Sequence, residues 1–348
     1  MGETYTILVG SYTRSVTTLK FTPATCSLVV LSFVEVGHHP SWIDNHPTHP
    51  ELVFATIEAS EGEVVVVEVD GEGKGAVVGR VSSGGEDPAH VWIGENEIVV
   101  GNYSGSSILQ IPFIAESPYL SAPSAQVVRF EGTGPREDRQ EKSHPHQVYH
   151  HPSREELLIP DLGADKVHRL LRDETKEGEW VVKGEISVKA GSGPRHVFVK
   201  DDVLYIVGEL SSELLSYSLP PISSSGPAPT HLATLATTST PPTPTALAAE
   251  ILLSPSKTHL LISNRNDTHP LGDPIAIFTL HPTFERVGEV RTGLNHIRGM
   301  QFSKDGKYLI VGGANGGGVK VFEWSGEGEW AKEVAHVELE APTDFLWL

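Results

Sequence analysis

The apolar positions of this chain come in short runs of about five to eight residues, broken by glycine, proline and polar turn residues. Runs such as "YTILVGSY", "LVFATIE" and "EVVVVEV" carry the β-branched and aromatic residues that suit a pleated, half-buried surface. No long stretch repeats its apolar residues at the helical period. The runs are themselves periodic. A turn, a proline, one variable residue and an apolar strand recur as "GHHPSWI" at Pro40, "GEDPAHVWI" at Pro88, "SHPHQVY" at Pro145, "GPRHVFV" at Pro194 and "APTDFLWL" at Pro342. Two degenerate copies, "LAAEILLSP" and "NHIRGMQFS", place Ala249 and Ile297 in the proline slot. The copies lie roughly 50 residues apart.

Each copy continues in the same way. A second apolar strand ends in a polar residue ("EIVVGNY", "LYIVGEL", "HLLISNR"), a third follows ("SILQIPF", "LLSYSLP", "IAIFTL"), and a fourth closes the unit ("AVVGRV", "AQVVRF", "RVGEVRT"). Four strands at this period form a propeller blade. Seven units therefore predict an all-β, seven-bladed β-propeller with four antiparallel strands per blade, a single domain over residues 1–348. The last unit has only its first strand at the carboxyl end, "DFLWL", and its other three stand at the amino end. One blade shared by both termini would close the ring and leave no long unpaired edge.

Charge and composition narrow the partners. The formal net charge of −19 argues against nucleic acid and anionic lipid, which basic surfaces bind. The one cysteine, Cys26, excludes an intramolecular disulfide and a thiolate metal cluster. "MGETYTILVG" has neither the basic region nor the apolar core of a secretory signal, and no apolar run is long enough to span a membrane. A cytoplasmic protein is the expectation. Oligomeric state is not legible.

Candidate chemistry follows from the geometry of the predicted fold. First strands line the channel of a propeller, so the residue after each slot should stand near one rim: Ser41, Ala89, His146, Arg195, Glu250, Arg298 and Thr343. The polar residues ending the second strands, Glu58, Asn102, Asp161, Glu209, Asn264 with Arg265, and Asn315, should reach the same rim. Titratable groups of both signs would then converge on one mouth, as in a binding or catalytic site. The connection "EGTGPREDRQEKSHPH" is long and polar, a frequent mark of a functional loop. His144, His146 and His150 share strand parity but would be spaced about 7 Å per step, too far apart to chelate one ion. The oxygen groups of Glu58, Asn102, Asp161, Glu209 and Asn264 suit calcium better, yet neighbouring arginines would repel it. No metal and no cofactor are expected.

The ordered segments "DRQEKSHPHQV", "DLGADKV", "GSGPRHVFV", "GEL", "AAEILLSPS" and "SNR" resemble the seven-bladed lactonase family, which holds bacterial 6-phosphogluconolactonases and fungal carboxy-cis,cis-muconate cyclases. The resemblance covers essentially the whole chain. It implies an active-site cluster of His146, Arg195, Glu209 and Arg265. With the geometric reading, catalysis falls to His146, Glu209 and Arg195, and binding of a small anionic substrate to Arg265, Glu250, Asn264, Arg298 and Asn102.

Lactone chemistry needs a base or acid and a cationic clamp. His146 titrates near neutrality in its ordinary state, and arginine holds a carboxylate or phosphate with two parallel hydrogen bonds. A metal-independent enzyme that forms or opens a lactone is the resulting expectation, most like a carboxy-cis,cis-muconate cyclase, because a phosphate asks for more cation than a strongly acidic chain promises. Hydrolysis of the 6-phosphogluconolactone type is the alternative. A non-catalytic interaction scaffold is the third reading, and no blade carries the tryptophan-aspartate or kelch signature usual for it.

Overall fold

The computed structural model describes residues 3–121, 127–176, 178–239, 242–325 and 332–348. They form seven antiparallel sheets of four strands each. The innermost strands are Pro40–Asn45, Pro88–Ile93, Tyr149–His150, Pro194–Lys200, Leu247–Leu253, Asn295–Phe302 and Pro342–Trp347, and we number the first six blades by these strands in chain order. The seventh, closing blade pairs Pro342–Trp347 with Tyr5–Ser11, in the register Ile7↔Trp347, Leu8↔Leu346 and Val9↔Phe345. Its outer strands are Ser15–Thr22 and Ser27–Glu35. The predicted seven-bladed ring with a shared closing blade is the observed one. Of the expected strand "AQVVRF", Ala125 and Gln126 lie outside the described residues, and Val128–Arg129 forms the short outer strand.

The core lies between blades. Ile7, Val9, Phe21 and Trp347 of the closing blade pack against Ile310, Val319 and Val321 of the sixth, while Leu8, Val16 and Leu346 pack on the opposite side against Val53, Val65 and Val67 of the first. A sheet held between two neighbours buries both faces, so middle strands such as Leu52–Ile57 are buried at every position and apolar at all but Thr56. Outer strands have one wet face and alternate, as His231–Ala236 does. Among the described residues no helix is long and apolar enough to cross a membrane.

One local irregularity recurs and positions the site. The ladder between first and second strands slips just after the slot, between Pro40 and Trp42, Pro88 and His90, Pro194 and Val197, Ala248 and Ile251, and Ile297 and Met300. Such a bulge takes one residue out of the ladder and re-aims it. The register also corrects one expectation. Ala248 faces Asn264 as Pro88 faces Asn102, so Ala248 occupies the slot and not Ala249, which moves Glu250 one step deeper into the channel. In the third blade the first strand shrinks to Tyr149–His150, with Pro145 bridged to Asp161.

Candidate active site

At one end of the channel a cavity of about 350 Å³ is lined by Tyr12, Glu58, Ala89, Tyr103, Arg139, His146, Glu209, Leu247, Arg265, His296 and Arg298. Its centre is Glu209, just after the second strand of the fourth blade and buried. Three guanidinium groups surround its carboxylate. Arg139 Nη2 donates to Oε1 at 2.7 Å, Arg265 Nη2 lies 2.7 Å from Oε2, and Arg195 Nε lies 3.1 Å from Oε2, close enough for an ion pair though not angled as a hydrogen bond. Burial alone would push the Glu209 carboxyl upward; Arg265, Arg195 and Arg139 more than reverse this and hold it well below the usual range. Glu209 is therefore ionised at any working pH, and it fixes the arginines.

The backbone explains why these groups meet. In "GSGPRH", Gly191 and Gly193 adopt φ of 82° and 61°, the left-handed region open to glycine, and both amides donate to the Asp165 carboxylate, at 2.7 and 2.8 Å. The loop so formed accepts the Glu209 amide on the Gly193 carbonyl at 2.8 Å. Arg195 leaves the same loop, donates Nη1 to the Ala249 carbonyl at 2.8 Å and ends behind Glu209, outside the cavity lining. Burial first, then Arg265 and Arg298, push its pKa down, and Glu209 opposes them; a guanidinium so paired stays charged.

His146 lies in the extended lead-in to the third blade, with its amide donating to the Pro160 carbonyl at 2.9 Å. Asp161 anchors this lead-in, accepting from Ser143 Oγ at 2.5 Å, the His144 amide at 2.7 Å and His168 Nε2 at 3.0 Å. The His146 ring packs edge-on to Tyr103, its Nδ1 is buried with no partner among the described residues, and Nε2 is left to face the cavity. Burial first, then the charges of Arg195, His196, Arg298 and Arg265, hold its pKa far below the ordinary value. The imidazole is neutral at physiological pH, and no hydrogen bond among the described residues joins it to Glu209. Arg298 makes no ion pair or hydrogen bond among the described residues; its guanidinium stands over the Tyr12 ring at 5.1 Å. His296, pushed down to about 3 by burial and then by Arg265 and Arg298, adds no charge. The cavity thus holds three arginines against Glu209 and Glu58, with Arg195 behind them.

Of the residues expected from sequence, His146, Glu209, Arg265 and Arg298 line the cavity. Asn102, Asn264 and Glu250 do not. Asn102 donates Nδ2 to the Ser83 carbonyl at 2.9 Å, Asn264 donates to the Thr237 carbonyl at 3.0 Å, and Glu250 is tied to His196 at 3.0 Å. The cause is strand parity. Asn102 and Asn264 are the residues that face the slot across the ladder, and their side chains turn into the blade to hold the loop that enters it; the residue one step later turns to the cavity. That next residue is Tyr12, Glu58, Tyr103, Glu209 or Arg265 in five of the blades, and all five line the cavity. Tyr12 and Tyr103 were missed, although "GSYT" and "GNYS" repeat the same wording in two blades. Arg139 was also missed; its signal is the long polar connection itself. Among the described residues no group of three or more His, Cys, Asp or Glu side chains is arranged to hold a metal ion.

A β-propeller with a buried, arginine-rich cavity at one channel mouth is the class these features define. The chain belongs to the lactonase, seven-bladed β-propeller family, whose model matches residues 6–347. A protein of Arthroderma benhamiae, provisionally named a 6-phosphogluconolactonase, is 30% identical over 275 residues, which are 72% of this chain and 65% of that protein. The 6-phosphogluconolactonase of Bacillus subtilis is 26% identical over 188 residues, 53% of this chain and 52% of its own. These matches thus span between about half and two thirds of the relatives' lengths. A Bacteroides fragilis crystal structure, provisionally assigned as a 6-phosphogluconolactonase, superposes with a TM-score of 0.86 at 25% identity, covering 99% of this chain and 98% of that one.

Proposed function

We propose that this protein hydrolyses the lactone of a phosphorylated sugar acid, as the names of its relatives say of them. The observation that carries this reading is the cation excess of the cavity, with Arg298 over the Tyr12 ring and free of ion pairs and hydrogen bonds among the described residues, and with the Arg265 Nε unpartnered among them. The net charge of the chain is no guide to the charge of this cavity, so the ground for preferring a tricarboxylate such as carboxymuconate falls away. Arg298 and Arg139 suit the phosphate, which guanidinium groups grip by paired hydrogen bonds.

In the step we infer, neutral His146 accepts through Nε2 a proton from water as the water oxygen bonds to the lactone carbonyl carbon. The carbonyl electron pair becomes an oxyanion beside Arg265. The oxyanion collapses, the ring carbon–oxygen bond breaks, and the leaving ring oxygen takes the proton back from His146. A carboxylic acid and a hydroxyl result, and the acid gives up its remaining proton to solvent to become the carboxylate. Glu209 transfers no proton in this scheme, because an acid held so far down is too weak a base; it orders the three arginines. No metal takes part, since the guanidinium cluster repels a divalent ion.

Parallel assays of 6-phosphogluconolactone, unphosphorylated gluconolactone and 3-carboxy-cis,cis-muconate test the reading, each with and without EDTA. Turnover of the phosphorylated lactone, unchanged by EDTA, is expected. Cyclisation of the muconate at a higher kcat/KM, or equal rates with and without the phosphate, would overturn it.

A further inference from the structure

Below the cavity the channel holds a layer that the reaction above leaves unused. His196 is fully buried, and its Nδ1 lies 3.0 Å from Glu250 Oε1. Burial pushes the Glu250 carboxyl up, but His196 and Arg195 win and hold it ionised. An ionised carboxylate at Nδ1 keeps the proton of neutral His196 on that nitrogen and leaves Nε2 a bare acceptor. His196 Nε2 has no partner among the described residues. Neither has Nδ1 of His146, nor Nε1 of Trp42. All three atoms are buried, and their rings converge: His146 stands 5.2 Å from His196 at 71°, and Trp42 stands 5.4 Å from His196 at 78°.

Buried polar atoms in a native interior are nearly always satisfied, and one water with about three partners is the usual means. We propose that Glu250 and His196 are positioning residues for His146, joined to it through one buried water that also accepts a hydrogen bond from Trp42. The water accepts from Trp42 Nε1 and from His146 Nδ1, and it donates to His196 Nε2. This order places the proton of neutral His146 on Nδ1 and leaves the Nε2 lone pair facing the cavity, as a general base requires. When Nε2 takes a proton, the new positive charge is felt by Glu250 through the chain of hydrogen bonds, and no further proton has to move. The other charges facing His146 are Arg195, Arg298 and Arg265, all repulsive to an imidazolium, whereas Glu250 acts on His196 and would reach His146 only through the chain of hydrogen bonds. The role rests on His146 being the base of the proposed hydrolysis; the hydrogen-bond chain does not.

The test uses the full chain with 15N-labelled histidine, the His146 signals being identified by their loss in His146→Gln. The parent should show His146 protonated on Nδ1. Glu250→Gln should shift that tautomer and lower kcat by roughly ten- to a hundredfold with KM nearly unchanged, the usual size of an outer hydrogen-bond partner; Glu250→Asp should restore part of the rate. Trp42→Phe keeps an aromatic ring against His90 and removes the donor with the pyrrole part of the indole, so it should shift the same signals in a protein that folds. Unchanged His146 signals in both Glu250→Gln and Trp42→Phe would overturn the proposal, whatever happens to turnover. If the signals shift as expected but His146→Gln keeps full activity, the hydrogen-bond chain stands and the assignment of the base fails.

Discussion

Two buried glutamates of this protein each hold arginines, and they serve different ends. Glu156, at the start of the third blade's second strand, lies 2.6 Å from Arg169 Nε and 3.5 Å from Arg154 Nε. Both arginines then reach the next blade: Arg169 Nη2 donates to the Pro220 carbonyl at 2.8 Å and Arg154 Nη2 to the Leu219 carbonyl at 3.0 Å. The cluster ties two blades together. Glu209 gathers three arginines at the channel mouth instead, where an open cavity adjoins them and a fourth, Arg298, makes no ion pair among the described residues. A buried ion pair by itself therefore says nothing about function; what separates the two clusters is where the remaining guanidinium hydrogens point.

Substitutions can break this contrast. The largest effect belongs to His146→Gln, which should cost roughly 10²- to 10⁴-fold in kcat while the melting temperature stays near that of the parent, since a positioned base contributes about that much and the glutamine side chain refills most of the space between Tyr103 and His196. Steady-state kinetics beside a thermal melt decides it. Arg169→Met comes next and should act in the opposite sense: it leaves Glu156 buried without its closer cation and should lower stability by roughly 3–5 kcal/mol in denaturant titration, with turnover per folded molecule unchanged. Equal losses of activity and stability in both variants would erase the distinction between the clusters. Arg298→Ala should raise KM for the phosphorylated substrate about ten- to a hundredfold, the worth of a charge-assisted hydrogen bond, with a smaller change in kcat and no shift in melting temperature.

The smallest expected effect is on pH dependence, and it sharpens the picture of a neutral His146. Because its pKa is depressed, kcat for the unphosphorylated lactone at saturation should show no inflection near 6.5, where an ordinary histidine titrates and where a phosphate substrate would add its own ionisation. Stability should behave otherwise. Above about pH 6.5 neither state binds the extra proton; below it the unfolded chain protonates histidines that the fold keeps neutral, so stability falls as pH falls. His39, His90, His146, His151, His196 and His296 are all depressed, burial being the largest cause in each. Asp44, raised by burial to about 6, and Asp273 and Asp344, also raised, act with the opposite sign and are outnumbered. A melting temperature that drops from about pH 7.5 to 5.5 across a flat kcat for the unphosphorylated lactone is the result to look for.

The ring was legible in the chain because its cause is local and repeated. Each Pro-x-apolar strand marks the entry to a blade, and each continuous apolar run marks a strand buried on both faces, so the number of blades and the closing of the ring at both termini could be counted. His146, Glu209, Arg265 and Arg298 were legible for the same reason, as polar residues at strand ends where an apolar residue would be ordinary. Asn102 and Asn264 were misread by one residue, and one residue along a strand exchanges the cavity for the blade interior. No spacing in the chain reveals that slip, because the bulge that sets it exists only when first and second strands are paired.

Sequence by itself determined the repeat, the antiparallel order within each blade and the kinds of side chain present at the rim. Tertiary structure alone decided which of them meet. Arg139 reaches Glu209 from a connection 70 positions away in the chain, and Arg195 is drawn behind Glu209 by the Ala249 carbonyl of the next blade. The charge of the cavity was decided there too, since a pocket lined from all seven blades takes its potential from the few groups brought within several ångströms and not from the acidic total spread over the surface.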